Sequence, residues 1–269
     1  MRTSLAAPEH AWRALDGELA HWLEAGHAVR LWWRDDDART VTPELRRLLD
    51  LADAFTAPLL LSVVPGPQAV ELGSITAARP IFIAQHGVDH HNRRLVGLPS
   101  QFPVHELPGR MALELRDVGL MLEDLPGALP VYVPPWNTVT PGLMPALRLA
   151  GFRGVSAFGR DRREHAGLQR VDVHLDVLEW APHARFRGVG HCVMRLVHCL
   201  HRRRRRQAWT QPVGILTHHL ALDPGAWDFM GDLLMRLAQS GAAEWPSPDT
   251  LFSAQDRQSR ALSTRLGGS

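Results

Sequence analysis

Two histidines, His86 and His90, stand four residues apart in QHGVDHH (85–91), and three aspartates, Asp35 to Asp37, close the apolar run LWWRDDDA (31–38). Imidazoles at that spacing reach one divalent metal if the segment turns helical after a strand. An aspartate from another strand then completes a three-ligand set with a position open for water, which is a catalytic rather than a structural pattern. Taken alone, the pair reads equally well as surface loop histidines in a chain that has 15 of them.

Three adjacent carboxylates raise one another's pKa unless a cation neutralises them, so a metal beside one and Arg34 beside another is the natural remedy. One acid then binds metal while its neighbour acts as a base. The competing reading is a solvated cluster capping the helix that starts near Pro43, but the acids begin well before that helix, directly on an apolar strand. On a regular strand Asp35 and Asp37 point one way and Asp36 the other.

The elements that must position these groups follow from periodicity. Apolar segments at 28–37, 58–66, 80–87, 131–137, 154–159, 168–180 and 214–220 read as strands, about seven in all, each followed by a helix or a long loop. Helices are expected after Thr42 as cap and Pro43, from Met111 to Leu125, from Leu143 to Ala150, from Val189 to Leu200 and from Trp227 to Leu237. The alternation predicts one parallel α/β domain over 28–255, preceded by an amphipathic helix within 1–27 and followed by a polar, frayed tail at 256–269. The polar residues that break the pattern all fall at strand C-terminal ends: Asp35 to Asp37, His86 with His90, Trp136 with Asn137, Asp176 with Glu179, and His218 with His219. In parallel α/β folds those ends converge on one face.

Composition narrows the class further. A hydrophobic content of 45% with nine Trp in 269 residues predicts a folded globule. A net charge of +2 is too small to mark a nucleic-acid binder. Every one of the 30 basic residues is an arginine, five of them together at 202–206. That run reads as a solvated helix end, in preference to a grip on phosphate, a nucleotide-sugar or a lipid carrier. Cys192 and Cys199 share one expected helix and are read as unpaired structural thiols. With no membrane-length apolar run and an acidic N-terminal segment, the expected location is cytoplasmic. Oligomeric state is left open.

In order along the chain, these residues resemble the five motifs of the polysaccharide deacetylases, the NodB-homology or carbohydrate esterase family 4 group. The Asp-Asp motif is similar to Asp36 and Asp37 in RDDD, with Asp35 and Asp36 as the other register. The His-x-x-x-His motif is similar to His86 and His90. The Arg-x-Pro-aromatic motif resembles VPPW, with Pro135 and Trp136, although Val133 stands where the arginine belongs. Asp-x-x-Asp-Trp resembles DVLEW, with Asp176, Glu179 and Trp180, and Leu-x-x-His resembles ILTH, with His218. The resemblance spans roughly 28–220.

That resemblance implies a distorted (β/α)7-type barrel and a metal-dependent hydrolase of an N-acetylated carbohydrate or a nucleotide- or lipid-linked sugar. The implied ligands are Asp37, His86 and His90, holding Zn foremost, with Co, Ni, Fe or Mn as alternatives. Asp36 is the implied base and His218 the acid, oriented by Asp176; Trp136, Pro135, Asn137 and Arg34 would meet the substrate. Arg34 also stands as a substitute for the missing motif arginine. Two rivals are kept: a non-catalytic glycan- or metal-binding relative, motivated by Val133, and a non-haem iron oxygenase with the same ligand types. The βα alternation speaks against the second.

Overall fold

The computed structural model describes residues 8–159, 163–165 and 167–253. The chain opens with helix α1 (Pro8–Glu24) and continues with β1 (Val29–Ala38), α2 (Pro43–Ala54), β2 (Leu59–Val63), α3 (Gly73–Thr76), β3 (Ile81–His86), α4 (Pro108–Gly119), β4 (Ala128–Val133), α5 (Leu143–Leu149) and β5 (Gly154–Val155). Short strands follow, β6 (Arg163–His165), β7 (Leu168–Arg170), β8 (Leu175–Asp176), β9 (Leu178–Glu179) and β10 (Arg185–Phe186). The chain then forms α6 (Val189–Arg205), β11 (Val213–Thr217), α7 (Pro224–Ser240), β12 (Ala243–Glu244) and α8 (Pro248–Phe252). The tail expected at 256–269 lies outside the described residues.

The strands curl into a ring. β5, β4, β3, β2, β1 and β11 pair in parallel in that spatial order. The stretch 168–177 joins the two ends. On one side Val171 and Val173 donate backbone N–H to Val155 and Ala157; on the other, His174 and Val177 donate to Gly214 and Leu216. This stretch was expected to run as one strand through Trp180. It is broken into β7, β8 and β9 because it changes partner midway, and β9 then pairs antiparallel with β10.

Period-two alternation explains both faces of the ring. Outward residues such as Leu31, Trp33, Leu59, Leu61, Ile81 and Ile83 pack with the helices in the main core. Inward residues Trp32, Leu60, Ala84, Val131, Val173 and Leu216 form a separate interior cluster, which Leu251 and Phe252 of α8 plug from below. Trp32 lies edge-on to Phe252, with ring centroids 6.1 Å apart. A Cβ on Gly214 would lie 2.5 Å from the Trp32 indole nitrogen, so that position has no room for a side chain. Two residues further along the same strands, the inward positions become Arg34, Ser62, His86 and His218. The barrel is apolar at its base and polar at its mouth.

Local signals agree with the fold. Thr42 caps α2 by accepting the Leu45 N–H at 3.1 Å, with Pro43 next, and Leu45, Leu48, Leu49 and Ala52 are buried. The arginine run departs from its expected solvated state. Arg203 is 2% exposed and bonds the His174 ring at 2.9 Å, while Arg204 grips Glu18 of α1 at 2.8 and 3.0 Å. Both cysteines are free, and burial pushes the Cys192 thiol up to about 12. No helix among the described residues is long and apolar enough to cross a membrane.

Candidate metal centre

The aspartate run ends in a β-bulge. Asp35 lies opposite Leu61 of β2, and pairing resumes with Ala38 opposite Val63, so β1 spends three steps where β2 spends two. Asp37 takes up the extra residue at φ 72°. Strict alternation would have sent Asp37 to the face of Asp35. The bulge instead turns it into the barrel mouth, where Asp36 and Asp37 line one groove with His86, His90 and His218.

Asp37, His86 and His90 converge there, with one ligand atom from each lying within 4.8 Å of the others. Asp37 Oδ1 is 3.3 Å from His86 Nε2 and 3.2 Å from His90 Nε2, yet this buried oxygen makes no hydrogen bond among the described residues. His86 Nδ1 lies 3.1 Å from the Val133 carbonyl, which fixes the proton on Nδ1 and leaves Nε2 a lone pair. Burial and the neighbouring His86 hold His90 below the ordinary imidazole pKa, so it too offers a lone pair at neutral pH. Three lone-pair donors of type N2O facing one point fit a divalent cation.

The HxxxH spacing works through a turn rather than a helix. Gly87 takes φ +71°, and a Cβ there would lie 1.9 Å from Gln101 Oε1 and 2.6 Å from Pro135. His90 follows at φ 63°. Gln101 holds this turn, accepting the Val88 N–H at 2.8 Å and donating to Asp89 at 2.8 Å.

Beside the triad, Asp36 is held by Arg34. The guanidinium donates Nη2 to Asp36 Oδ2 at 2.9 Å, and its Nε lies 2.9 Å from Oδ1. Arg34 is itself fully buried and braced by the Ser156 hydroxyl at 2.7 Å, the Ala157 carbonyl at 3.3 Å and Asn137 Oδ1 at 2.7 Å. Arg34 and Asn137, expected to meet substrate, are therefore joined to each other, and Arg34 faces Asp36 inside the barrel. Burial works to raise the Asp36 pKa, but Arg34, His86 and His218 outweigh it and keep the carboxyl below its ordinary value. His218 Nε2 stands 4.0 Å from Asp36 Oδ2.

Asp35 faces the other way, into the helix layer. Its carboxylate accepts the Thr217 hydroxyl at 2.6 Å and the His219 N–H at 3.0 Å, and His219 Nδ1 lies 2.5 Å from it. Burial lowers the His219 pKa, yet Asp35 more than offsets this and raises it. Asp176, expected to orient His218, makes no hydrogen bond to it. Its oxygens are taken by the Leu178 N–H at 2.9 Å and the Trp180 indole at 3.0 Å, and burial raises its pKa. Trp180 touches His218 instead, edge to face at 4.5 Å. Glu179 is paired with Arg185 across the β9–β10 hairpin.

No protein-family model and no curated protein matches the chain. Solved structures do. A Mycobacterium smegmatis protein assigned as a polysaccharide deacetylase aligns at 17% identity with a TM-score of 0.61, over 87% of this chain and 92% of that one. A peptidoglycan deacetylase from Bacillus subtilis aligns at 13% identity and 0.53, over 90% and 98%. A family 4 acetyl xylan esterase from Clostridium thermocellum, in complex with a cobalt ion, aligns at 13% and 0.50, over 83% and 90%. The chain has the polysaccharide deacetylase fold.

Within the deacetylase fold, the groove over the triad measures about 560 Å³. Its walls include Trp136, Phe158 and Trp180, each at least a third exposed. Among the described residues, six non-glycine residues have positive φ, and Asp37, His90, Trp136 and Asn137 are four of them. Strain of roughly 1–3 kcal/mol per residue is thus gathered at the groove, as at functional sites generally. Sequence reasoning missed Ser156 and Phe158, which lie in a segment expected only as a strand, and Gln101 and Arg187, which lie in connecting segments without periodicity.

Proposed function

We propose that the protein is a metal-dependent hydrolase of non-peptide carbon–nitrogen bonds that deacetylates an N-acetylated sugar or a nucleotide- or lipid-linked precursor. The observation that carries this reading is the Asp37, His86 and His90 set lying beside an arginine-held Asp36 with His218 facing it. Similar solved structures named as a peptidoglycan deacetylase and an acetyl xylan esterase support acetyl removal as the reaction. Two free buried cysteines support a reducing, cytoplasmic setting.

Asp37, His86 and His90 would hold the metal, with Zn the first choice and Co, Ni, Fe or Mn as alternatives. Bound there, a divalent ion supplies Lewis acidity and a lowered pKa for water. Asp36, kept ionised by Arg34, accepts the proton of the attacking water. His218, against Trp180, delivers a proton to the departing amine. Trp136 walls the sugar; Pro135, expected beside it, is buried against Gly87 and does not line the groove. The arginine absent at Val133 is compensated from within β1 by Arg34, which weakens the motive for a non-catalytic relative.

The test is to load purified protein with Zn or Co and assay acetate release from acetylated sugars, nucleotide-sugars and lipid-linked sugars. Stoichiometric metal is expected, with release that falls by about 10²–10⁴-fold in Asp36→Asn. Sugar binding without acetate release under any metal would favour the non-catalytic relative, and a chain that takes up no metal would sink the hydrolase reading.

A further inference from the structure

Arg187 is the one basic residue lining the groove, and nothing in the motifs assigns it a role. Its Nε donates to the Leu178 carbonyl at 2.7 Å, which anchors the guanidinium. Among the described residues it forms no ion pair, and neither Nη nitrogen has a hydrogen-bond partner. The acids around it accept hydrogen bonds from other groups. Glu179 pairs with Arg185, and Asp223 caps α7 through the Ala226 N–H while accepting the Phe186 N–H. Asp176 accepts the Leu178 N–H and the Trp180 indole.

Arg187 is hydrogen-bonded to none of the acids of the groove. Asp36 is matched by Arg34 from inside the barrel, and Asp37 belongs with His86 and His90. Asp176 feels Arg187 through space, which works to lower its pKa, but burial raises that pKa and no hydrogen bond joins the two. The field of the guanidinium continues along the start of α6, where burial, Arg187 and Arg195 hold His191 below its ordinary pKa. A half-buried guanidinium with both Nη nitrogens free is the arrangement that receives a carboxylate or phosphate through paired, charge-assisted hydrogen bonds.

We infer that the groove takes an acylamino sugar bearing a negative charge, with Arg187 receiving the anionic group and the aromatic walls holding the ring. The acylamino part rests on the deacetylase reading; the anion site does not. The anion is either a carboxylate on the sugar or a phosphate attached to it.

The experiment is calorimetric binding to the Zn-loaded full chain, with three probes: N-acetylglucosamine, which is neutral, N-acetylmuramic acid, which carries a carboxylate, and UDP-N-acetylglucosamine, which carries a pyrophosphate. At least one anionic probe should bind about tenfold or more tighter than the neutral one, and the tighter of the two identifies the anion. In Arg187→Met the preference should fall close to one. Arg187→Gln, which keeps a neutral donor, serves the same purpose if the first variant melts early or loses metal. Equal binding of all three probes, no binding of any, or a preference that survives both variants overturns the inference. Preferential binding without acetate release would leave the anion site standing and remove the deacetylase reading alone.

Discussion

Arg34 and Asp36 leave the same strand two residues apart, point into the same barrel, and meet at 2.9 Å where neither is more than 2% exposed. A buried carboxylate beside a cation site needs a fixed countercharge, and here it comes from the strand that carries the carboxylate itself. The consequence is testable in Arg34→Met. Asp36 loses the group that keeps its pKa low, so burial pushes the pKa up and the acidic edge of the pH–rate profile moves to higher pH. Turnover at neutral pH should fall by about a hundredfold or more, with a stability loss of about 3–5 kcal/mol for the stranded carboxylate. A profile whose acidic edge stays in place would show that Arg34 does not tune Asp36.

Metal binding and proton transfer should separate among the aspartates. His86→Ala and Asp37→Asn each remove one of three ligands, and metal content by elemental analysis should drop well below one per chain. Asp36→Asn leaves the ligand set intact, so metal stays near one per chain while turnover falls by about 10²–10⁴-fold. Loss of metal in Asp36→Asn would place the ligand in the wrong register.

The alternation of strands and helices, the Thr42 cap and the His86–His90 pair were legible in the sequence, because each rests on a short spacing or a local preference; Asp37 joined the two histidines only through the order of motifs in the resemblance. What was not legible depends on closure of the ring. Arg34 meets Ser156 and Asn137 only once β5 and the turn after β4 arrive, and Asp35 meets His219 only across the β1–β11 ladder. The bulge at Asp37 was hidden for another reason: aspartate tolerates a left-handed backbone but does not announce it. Asp176 seemed a natural partner for His218 by motif order, yet the nearer Leu178 N–H and Trp180 indole take its oxygens.

The tie between α1 and α6 should show in stability at acid pH. Burial works to raise the Glu18 pKa, but Arg204 and His201 outweigh it and lower it. A lowered folded pKa means that the contribution is present above the ordinary glutamate value and is lost as pH falls through the folded value. Glu18→Gln should therefore cost about 1–3 kcal/mol at pH 7 by chemical denaturation. The gap to wild type should narrow steadily below about pH 4. A gap of constant size across that range would mean that the packing of the side chain, not its charge, holds α1 in place.

The opposite pH sign is expected at Asp35 and His219. Asp35 raises the His219 pKa above its ordinary value, so their mutual stabilisation is complete below that value and fades as pH climbs through the raised one. Asp35→Asn removes the charge and leaves the Thr217 hydroxyl and two His219 donors with a poorer acceptor, at a cost of about 3–5 kcal/mol for a fully buried site. The difference in melting temperature from wild type should be larger at pH 6 than at pH 9. Metal content should stay near one per chain, because Asp35 faces the helix layer and touches no ligand atom. Turnover should still fall, since the turn that presents His218 is fastened to β1 through its neighbour His219. Full turnover in a folded, metal-replete Asp35→Asn protein would reduce the third aspartate to a purely structural anchor.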